Sequence, residues 1–310
     1  MSNTMKAIRA HDYGGAEQLV FEQAPCPDPA PNQVIVRVFA AGVNPADWKY
    51  RGGLYKQFMP LTFPWIPGLE GAGVVEGVGS DVKDLKPGQV VFGRMLASYA
   101  QYVVVAPSDL YPKPAHLTFN EAAAVSLGGL TAWQAVVENA NVQAGQHVLV
   151  TGAAGGVGLF AVQLARWKGA HVIGTASASN SEYVQSLGAE KVIDYQTTPF
   201  EKAVHDMDVV IDTVGGETID RAWQVLKPNG ILVTVAGRIS EETAKAHGVR
   251  GMSTMAAPPA KLKDLAELIE SHKLKTLVGK VFPLAEARKA HELSETGHGR
   301  GRIVLHVTDK

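Results

Sequence analysis

Residues 147–158 read His-Val-Leu-Val-Thr-Gly-Ala-Ala-Gly-Gly-Val-Gly and run directly into the apolar stretch LFAVQLARWKGA. An apolar strand, a glycine-rich turn and an apolar helix, in that order, make the opening of a nucleotide-binding βαβ unit. The turn is Gly152, Ala153, Ala154, Gly155, Gly156, Val157 and Gly158, with Ala153 where the usual G-x-G-x-x-G has its first glycine. The missing Cβ at Gly155 lets backbone N–H groups approach a pyrophosphate, whose charge the helix N-terminus favours, and Gly158 permits close helix–strand packing. A glycine-rich string alone reads equally well as a tight turn. The strand before it and the helix after it decide for a nucleotide.

Downstream, strand runs alternate with amphipathic stretches: HVIGTA, NSEYVQSLGA, KVIDY, DVVIDTVG, TIDRAWQVLKPNG and ILVTVAG. That alternation predicts a parallel sheet covered by helices, an α/β doubly wound unit. Gly169, Gly188 and Gly230 stand where helices end, and a positive φ is expected at each. About twenty residues past the glycines, an NAD site places an acid on the ribose hydroxyls. This chain has Thr175-Ala176-Ser177-Ala178-Ser179-Asn180 there. No carboxylate opposes a 2′-phosphate, and Ser177 and Asn180 can donate hydrogen bonds to one, so NADP is the expected cofactor. The competing reading is a polar loop that caps the next helix. Ligands sit outside the carboxyl ends of parallel strands, which adds Tyr195, Val214, Ala236, Gly237 and Arg238 as cofactor candidates. Tyr195 reads equally as a surface residue, and Arg238 as facing either phosphate or solvent.

Upstream, from Met5 to about Ala115, short apolar runs are cut by Pro and Gly: QVIVRVFAAGV, GAGVVEGVG, GQVVFGRM and YAQYVVVA. They predict a mostly β domain. The Ala-rich helical stretch FNEAAAVSLGGLTAWQAVVENA follows, with Asn120 as its expected cap, and the domain boundary is placed there. A chain of 310 residues is long enough for two cores. With 46% apolar and 19% charged residues it is ordinary for a globular protein, and a net charge of −1 gives no electrostatic reason for a nucleic acid or membrane partner. Cys26 is the single cysteine, which excludes an intrachain disulfide and a thiolate zinc site. No signal-like segment and no run of about 18 apolar residues is present, so a cytoplasmic, soluble protein is expected.

The chain resembles the medium-chain dehydrogenase/reductases, in their zinc-independent quinone oxidoreductase and alkenal (enone) reductase branch. The resemblance spans essentially the whole chain. It is carried by AAGVNPADWKYRGG (40–53), FPWIPGLEGAGVVEGVG (63–79), TGAAGGVG (151–158), SLGAEKVIDY (186–195) and GRGRIVL (299–305). It implies a GroES-like β-barrel catalytic domain over 1–120, a Rossmann NADP-binding domain over 121–265, and a segment 266–310 that returns to the catalytic domain. A homodimer or homotetramer is also implied. Where zinc-containing relatives carry a catalytic cysteine this chain resembles them with Asn44, and their G-H-E histidine is Leu69 beside Glu70. No metal is therefore expected, and Glu70 reads as a buried ion-pair member.

The implied chemistry is hydride transfer to a quinone or an α,β-unsaturated carbonyl. It needs a held acceptor and donors for the charge that grows on oxygen. By the resemblance, Asn44, Lys49 and Tyr55 are the catalytic candidates, Lys49 matching the D-x-K pattern of the alkenal reductases. Lys49 reads otherwise as a solvated surface lysine. Asp47 and Arg51 are expected to pair and brace the loop, and Phe58, Phe63 and Trp65 form either an apolar wall or core. A zinc-free alcohol dehydrogenase and a non-catalytic NADPH-binding protein remain as alternatives.

Overall fold

The computed structural model describes residues 3–309; Met1, Ser2 and Lys310, the outermost residues of the ranges above, lie outside them. An antiparallel pair, β1 (Thr4–Ala10) and β2 (Leu19–Pro25), flanks a mixed sheet built from both ends of the chain. The N-terminal part supplies β3 (Val34–Val43), β4 (Glu70–Val78), β5 (Val90–Arg94), β6 (Tyr102–Val105) and β7 (Leu110–Pro112). Helix α1 (Pro45–Arg51) follows β3, and α2 (Phe119–Ala123) and α3 (Ser126–Trp133) follow β7.

Next come β8 (His147–Thr151), α4 (Gly158–Trp167), β9 (His171–Ala176), α5 (Ser181–Ser186), β10 (Lys191–Asp194), β11 (Met207–Asp212) and α6 (Glu217–Ala222). They are followed by β12 (Leu226–Thr234), α7 (Glu241–Ala246), β13 (Arg250–Ser253) and α8 (Leu262–Glu270). The six strands from β8 to β13 form a parallel sheet of order β10-β9-β8-β11-β12-β13. Its central strands read VLV and VVID and are buried, the pattern of a parallel sheet covered on both faces.

The chain then returns. After β14 (Val278–Pro283) and α9 (Ala287–Glu295), β15 (Arg302–His306) pairs antiparallel with β3, so the mixed sheet runs β14-β15-β3-β4-β5-β7 with β6 on β3. One apolar core joins the two halves. Ala40, Ala72, Phe92 and Val304 of the mixed sheet pack in the same cluster as α2, α3, α4 and the parallel sheet.

Three local expectations are corrected. Asn120 does not cap α2; Thr118 does, accepting from Glu121 N–H while the Glu121 carboxylate accepts from Thr118 N–H. That is a T-x-x-E capping box, in which two donors are satisfied reciprocally, an advantage Asn120 lacks. The Ala-rich stretch is also not one helix, since it breaks between α2 and α3 and ends in a wide turn over Gln134–Asn139. Gly169 and Gly188 have the expected positive φ, +85° and +109°, but Gly230 lies inside β12 and the left-handed residue there is Asn229, φ +64°. Asn tolerates that conformation because its short polar side chain hydrogen-bonds locally.

Candidate active site

The carboxyl ends of β8, β9, β11 and β12 form one rim, held together by Asp212. This carboxylate is fully buried and accepts from Thr151 Oγ1 (2.7 Å), Thr234 Oγ1 (2.7 Å), Gly215 N–H (3.0 Å) and Val214 N–H (3.3 Å). Four donors make the buried charge tolerable. Asp212 ties β8, β11 and β12 into one edge. The sequence holds a signal for it that the reading above passed over: an acid closing the apolar run VVID.

On that rim Gly152 takes φ +63°, and its N–H donates to Thr175 Oγ1 (3.1 Å). A Cβ on Gly158 would fall onto the Gly152 carbonyl oxygen and lie 2.8 Å from Ala153 Cα, so α4 and the turn touch through backbone alone. Among the described residues the N–H groups of Gly156 and Val157 make no hydrogen bond within the protein. Those orphan donors at the start of a ten-residue helix fit a pyrophosphate. At the end of β9, Asn180 Nδ2 donates to Ser177 Oγ (3.0 Å), which also meets Ser179 Oγ (3.1 Å). Val214 and Tyr195 are exposed on the same rim. The Val214 and Ala236 turns are packed tightly enough that a Cβ on Gly215 would lie 2.5 Å from Ala236 O. Gly237 packs on Ile219, and Arg238 is exposed, with no ion pair among the described residues.

A residue the sequence reading missed joins this rim to α1. Arg302, at the start of β15, is 3% exposed, and its Nη1 lies 2.6 Å from where a Cβ on Gly156 would be. Its Nη2 pairs with Glu70 Oε1 and donates to Asn44 Oδ1 (2.7 Å). Glu70, 0% exposed, also accepts from Asn44 Nδ2 (2.9 Å) and Leu127 N–H (2.7 Å). Gly42 makes room for it, because a Cβ there would collide with the Glu70 carboxylate and lie 2.7 Å from Ala123 O. Asn44 is thus built into a buried ion pair and keeps one amide proton uncommitted. The Nε of Arg302 is buried without a partner.

Asp47 and Arg51 do not pair. Asp47 Oδ2 accepts from Asn44 N–H (2.8 Å) and Tyr99 OH (3.2 Å), while Arg51 pairs with Glu295 and meets Gly14 O (3.0 Å) and His291 Nδ1 (2.9 Å). Helix α1 is wedged between β-structure and α9, so both side chains find tertiary partners. Burial, reinforced by the Glu70 carboxylate, pushes the Asp47 carboxyl up to about 7. Burial and Arg51 hold the His291 imidazole down at about 3.

These two groups act oppositely on stability. Asp47 sits above the ~4 of an unfolded chain. The folded state therefore carries the extra proton between roughly pH 4 and 7, and this contribution falls as pH rises through that window. His291 sits below ~6.5. There the unfolded state carries the extra proton, so its contribution rises with pH from roughly 3 to 6.5. Asp47→Asn removes only the first slope. The variant is expected to lose stability on acidification from pH 6.5 to 4.5 more steeply than wild type, by up to about 1.4 kcal/mol per pH unit. Urea midpoints across that range check it, and parallel profiles would refute it.

Of the remaining candidates, Lys49 is half-buried with Nζ 5.5 Å from the Trp48 ring centre, and Tyr55 is half-buried with its ring 5.0 Å from that of Tyr50. Phe58 is 75% exposed, Phe63 packs edge-on against Tyr13, and Trp65 bridges through its backbone to Ala10. None of the three belongs to a buried core cluster. Among the described residues no group of three or more His, Cys, Asp or Glu could hold a metal ion. No helix there is long and apolar enough to cross a membrane.

Residues 30–115 match the family model described as alcohol dehydrogenase GroES-like domain, and residues 187–305 that described as zinc-binding dehydrogenase. The chain is 33% identical to a quinone oxidoreductase of Mus musculus, over 97% of each chain. It is 36% identical to the 2-methylene-furan-3-one reductase of Solanum lycopersicum, over 97% of this chain and 79% of that one. The solved quinone oxidoreductase of Coxiella burnetii superposes with a TM-score of 0.90 at 36% identity, covering 98% of this chain and all of the other.

Proposed function

Because the chain belongs to the medium-chain dehydrogenase/reductases, in their quinone oxidoreductase branch, we propose that it reduces a quinone or an α,β-unsaturated carbonyl with NADPH and without a metal. The observation that carries this reading is the buried cluster of Asn44, Glu70 and Arg302. It commits the Glu70 carboxylate, next to the position at which the resemblance places the zinc relatives' histidine, and it sets α1 against the glycine turn. Gly156 and Val157 N–H groups would hold the pyrophosphate, with Arg302 beside them, while Ser177 and Asn180 present hydroxyl and amide groups, and no carboxylate, to the ribose. The bound nicotinamide supplies the hydride.

The chain's own task is then to hold the acceptor oxygen and steady the charge that grows on it. Lys49 on α1 and Tyr55 in the turn after it carry the donors for this role. The Lys49 ammonium attracts the developing oxyanion, and the Tyr55 hydroxyl donates a hydrogen bond; solvent or either group then supplies the proton that neutralises the anion left by hydride addition. A cytoplasmic homodimer or homotetramer completes the reading, with β13 as an open edge of the parallel sheet on which a second copy would pair.

The test is NADPH oxidation by chelator-treated protein against quinones, 2-alkenals and enones, beside NADP⁺ reduction with simple alcohols. Turnover of the conjugated acceptors alone, unchanged by chelation, is expected. Turnover of alcohols alone would favour a zinc-free alcohol dehydrogenase. Tight NADPH binding with no turnover across the panel would make the protein a binder.

A further inference from the structure

A 2′-phosphate calls for a cation, and the turn after β9 has none: residues 177–183 read Ser-Ala-Ser-Asn-Ser-Glu-Tyr. The basic residues nearest that turn in sequence are engaged elsewhere. Arg166 pairs with Glu190, and Lys168 lies over Trp167.

A guanidinium reaches this place from the far end of the chain. Residues 297–301, Gly-His-Gly-Arg-Gly, connect α9 to β15, and the three glycines take φ of +67°, +146° and +71°. At Gly301 a side chain has neither the conformation nor the space, since a Cβ would lie 2.6 Å from Leu277 O. The Gly301 N–H donates to Ala154 O (2.9 Å), which pins the segment onto the glycine turn. Arg300 then places its guanidinium 5.3 Å from the centre of the Tyr183 ring. Tyr183 is three residues past Asn180, one turn along the same face of α5. Its hydroxyl is buried with no hydrogen-bond partner, and its ring attracts the guanidinium through its face while taking none of the guanidinium's N–H groups. Arg300 is exposed and, among the described residues, forms no ion pair; the nearest acid in sequence on α5, Glu182, is exposed as well.

We propose that Arg300 is the residue that recognises the 2′-phosphate of NADP(H), reaching across from the catalytic half to complete the site begun by Ser177 and Asn180. The inference rests on the NADPH reading above. A planar guanidinium held over an aromatic ring offers paired N–H groups to two phosphate oxygens, which a lysine cannot. The phosphate then bridges β15's leading loop and the β9 turn, so cofactor choice and the contact between the two halves depend on the same group.

Titration calorimetry tests it with NADP⁺, NAD⁺, 2′,5′-ADP and 5′-ADP against the full chain and two variants. Arg300→Gln is expected to weaken NADP⁺ and 2′,5′-ADP by roughly 10- to 100-fold, the scale of a charge-assisted pair, and to leave NAD⁺ and 5′-ADP within about twofold. Arg300→Lys is expected to recover part of the loss. Unchanged NADP⁺ affinity in Arg300→Gln, or equal weakening of NADP⁺ and NAD⁺, would overturn the assignment while the NADPH reading stands. Wild-type protein that binds NAD⁺ as tightly as NADP⁺ would overturn both.

Discussion

Arg302→Met is expected to destabilise the protein by roughly 3–5 kcal/mol, the scale for removing one partner of a buried ion pair. Glu70 is 0% exposed and would be left with only two neutral donors, Asn44 Nδ2 and Leu127 N–H. The double variant Glu70→Gln with Arg302→Met is expected to recover much of the loss, because the amide oxygen still accepts from Leu127 and no charge is stranded. Urea unfolding of the cofactor-free protein reads both. A single variant as stable as wild type, or a double variant no better than the single, would show that the pair is not what holds this junction. The same variant is expected to weaken NADP⁺ binding, since Arg302 stands beside Gly156.

The second large effect separates two glycines of one turn. In Gly158→Ala the new methyl would meet the Gly152 carbonyl oxygen and Ala153 Cα, both backbone, and neither can step aside without opening the turn. Overpacking of this kind costs about 1–3 kcal/mol. The opened turn no longer presents the Gly156 and Val157 donors together, and a fall in NADP⁺ affinity of roughly 100-fold is expected. At Gly155 the nearest atom to a Cβ is Gly152 O at 3.2 Å, a tight contact and not a collision, so Gly155→Ala is expected to lower the melting temperature less than Gly158→Ala and to lose mainly cofactor binding, through obstruction of the approaching pyrophosphate. Thermal melts without ligand, paired with fluorescence titrations, distinguish the two. Equal melting losses in both variants would contradict the division of labour between them.

What the sequence reveals and what it conceals divide by physical range. The glycine turn, the strand runs around it and the positive-φ residues Gly169 and Gly188 were legible because each is decided within a few residues. The misreadings at Asn120 and Gly230 were also local. In each, a neighbour offered the better chemistry: a reciprocal capping box at Thr118, and an asparagine already in the left-handed region at position 229.

Asp47 and Arg51 failed for a different reason. They are spaced as a helical ion pair, and on an exposed helix that spacing would have sufficed. Helix α1 is enclosed, and Tyr99, His291 and Glu295, all distant in sequence, compete successfully for its side chains. Arg302 and Glu70, 232 residues apart, carry no mutual mark in the chain, yet they set the geometry around Asn44. Nothing around Arg300 in the chain marks a role for it, because its platform, Tyr183, lies on another element.

The return of the chain to its first sheet has a consequence for synthesis. β15 pairs with β3, so the ribosome makes one strand of that pair well before the other, with every strand of the parallel sheet made in between. All strands of the parallel sheet, β8 to β13, have by then left the ribosome and can form as a unit, as domains generally do. The N-terminal sheet must wait with the flank of β3 that β15 will cover open, and with Glu70 lacking its counter-charge. The step that closes that flank also delivers Arg302, so closure of the sheet and completion of the candidate site are one event.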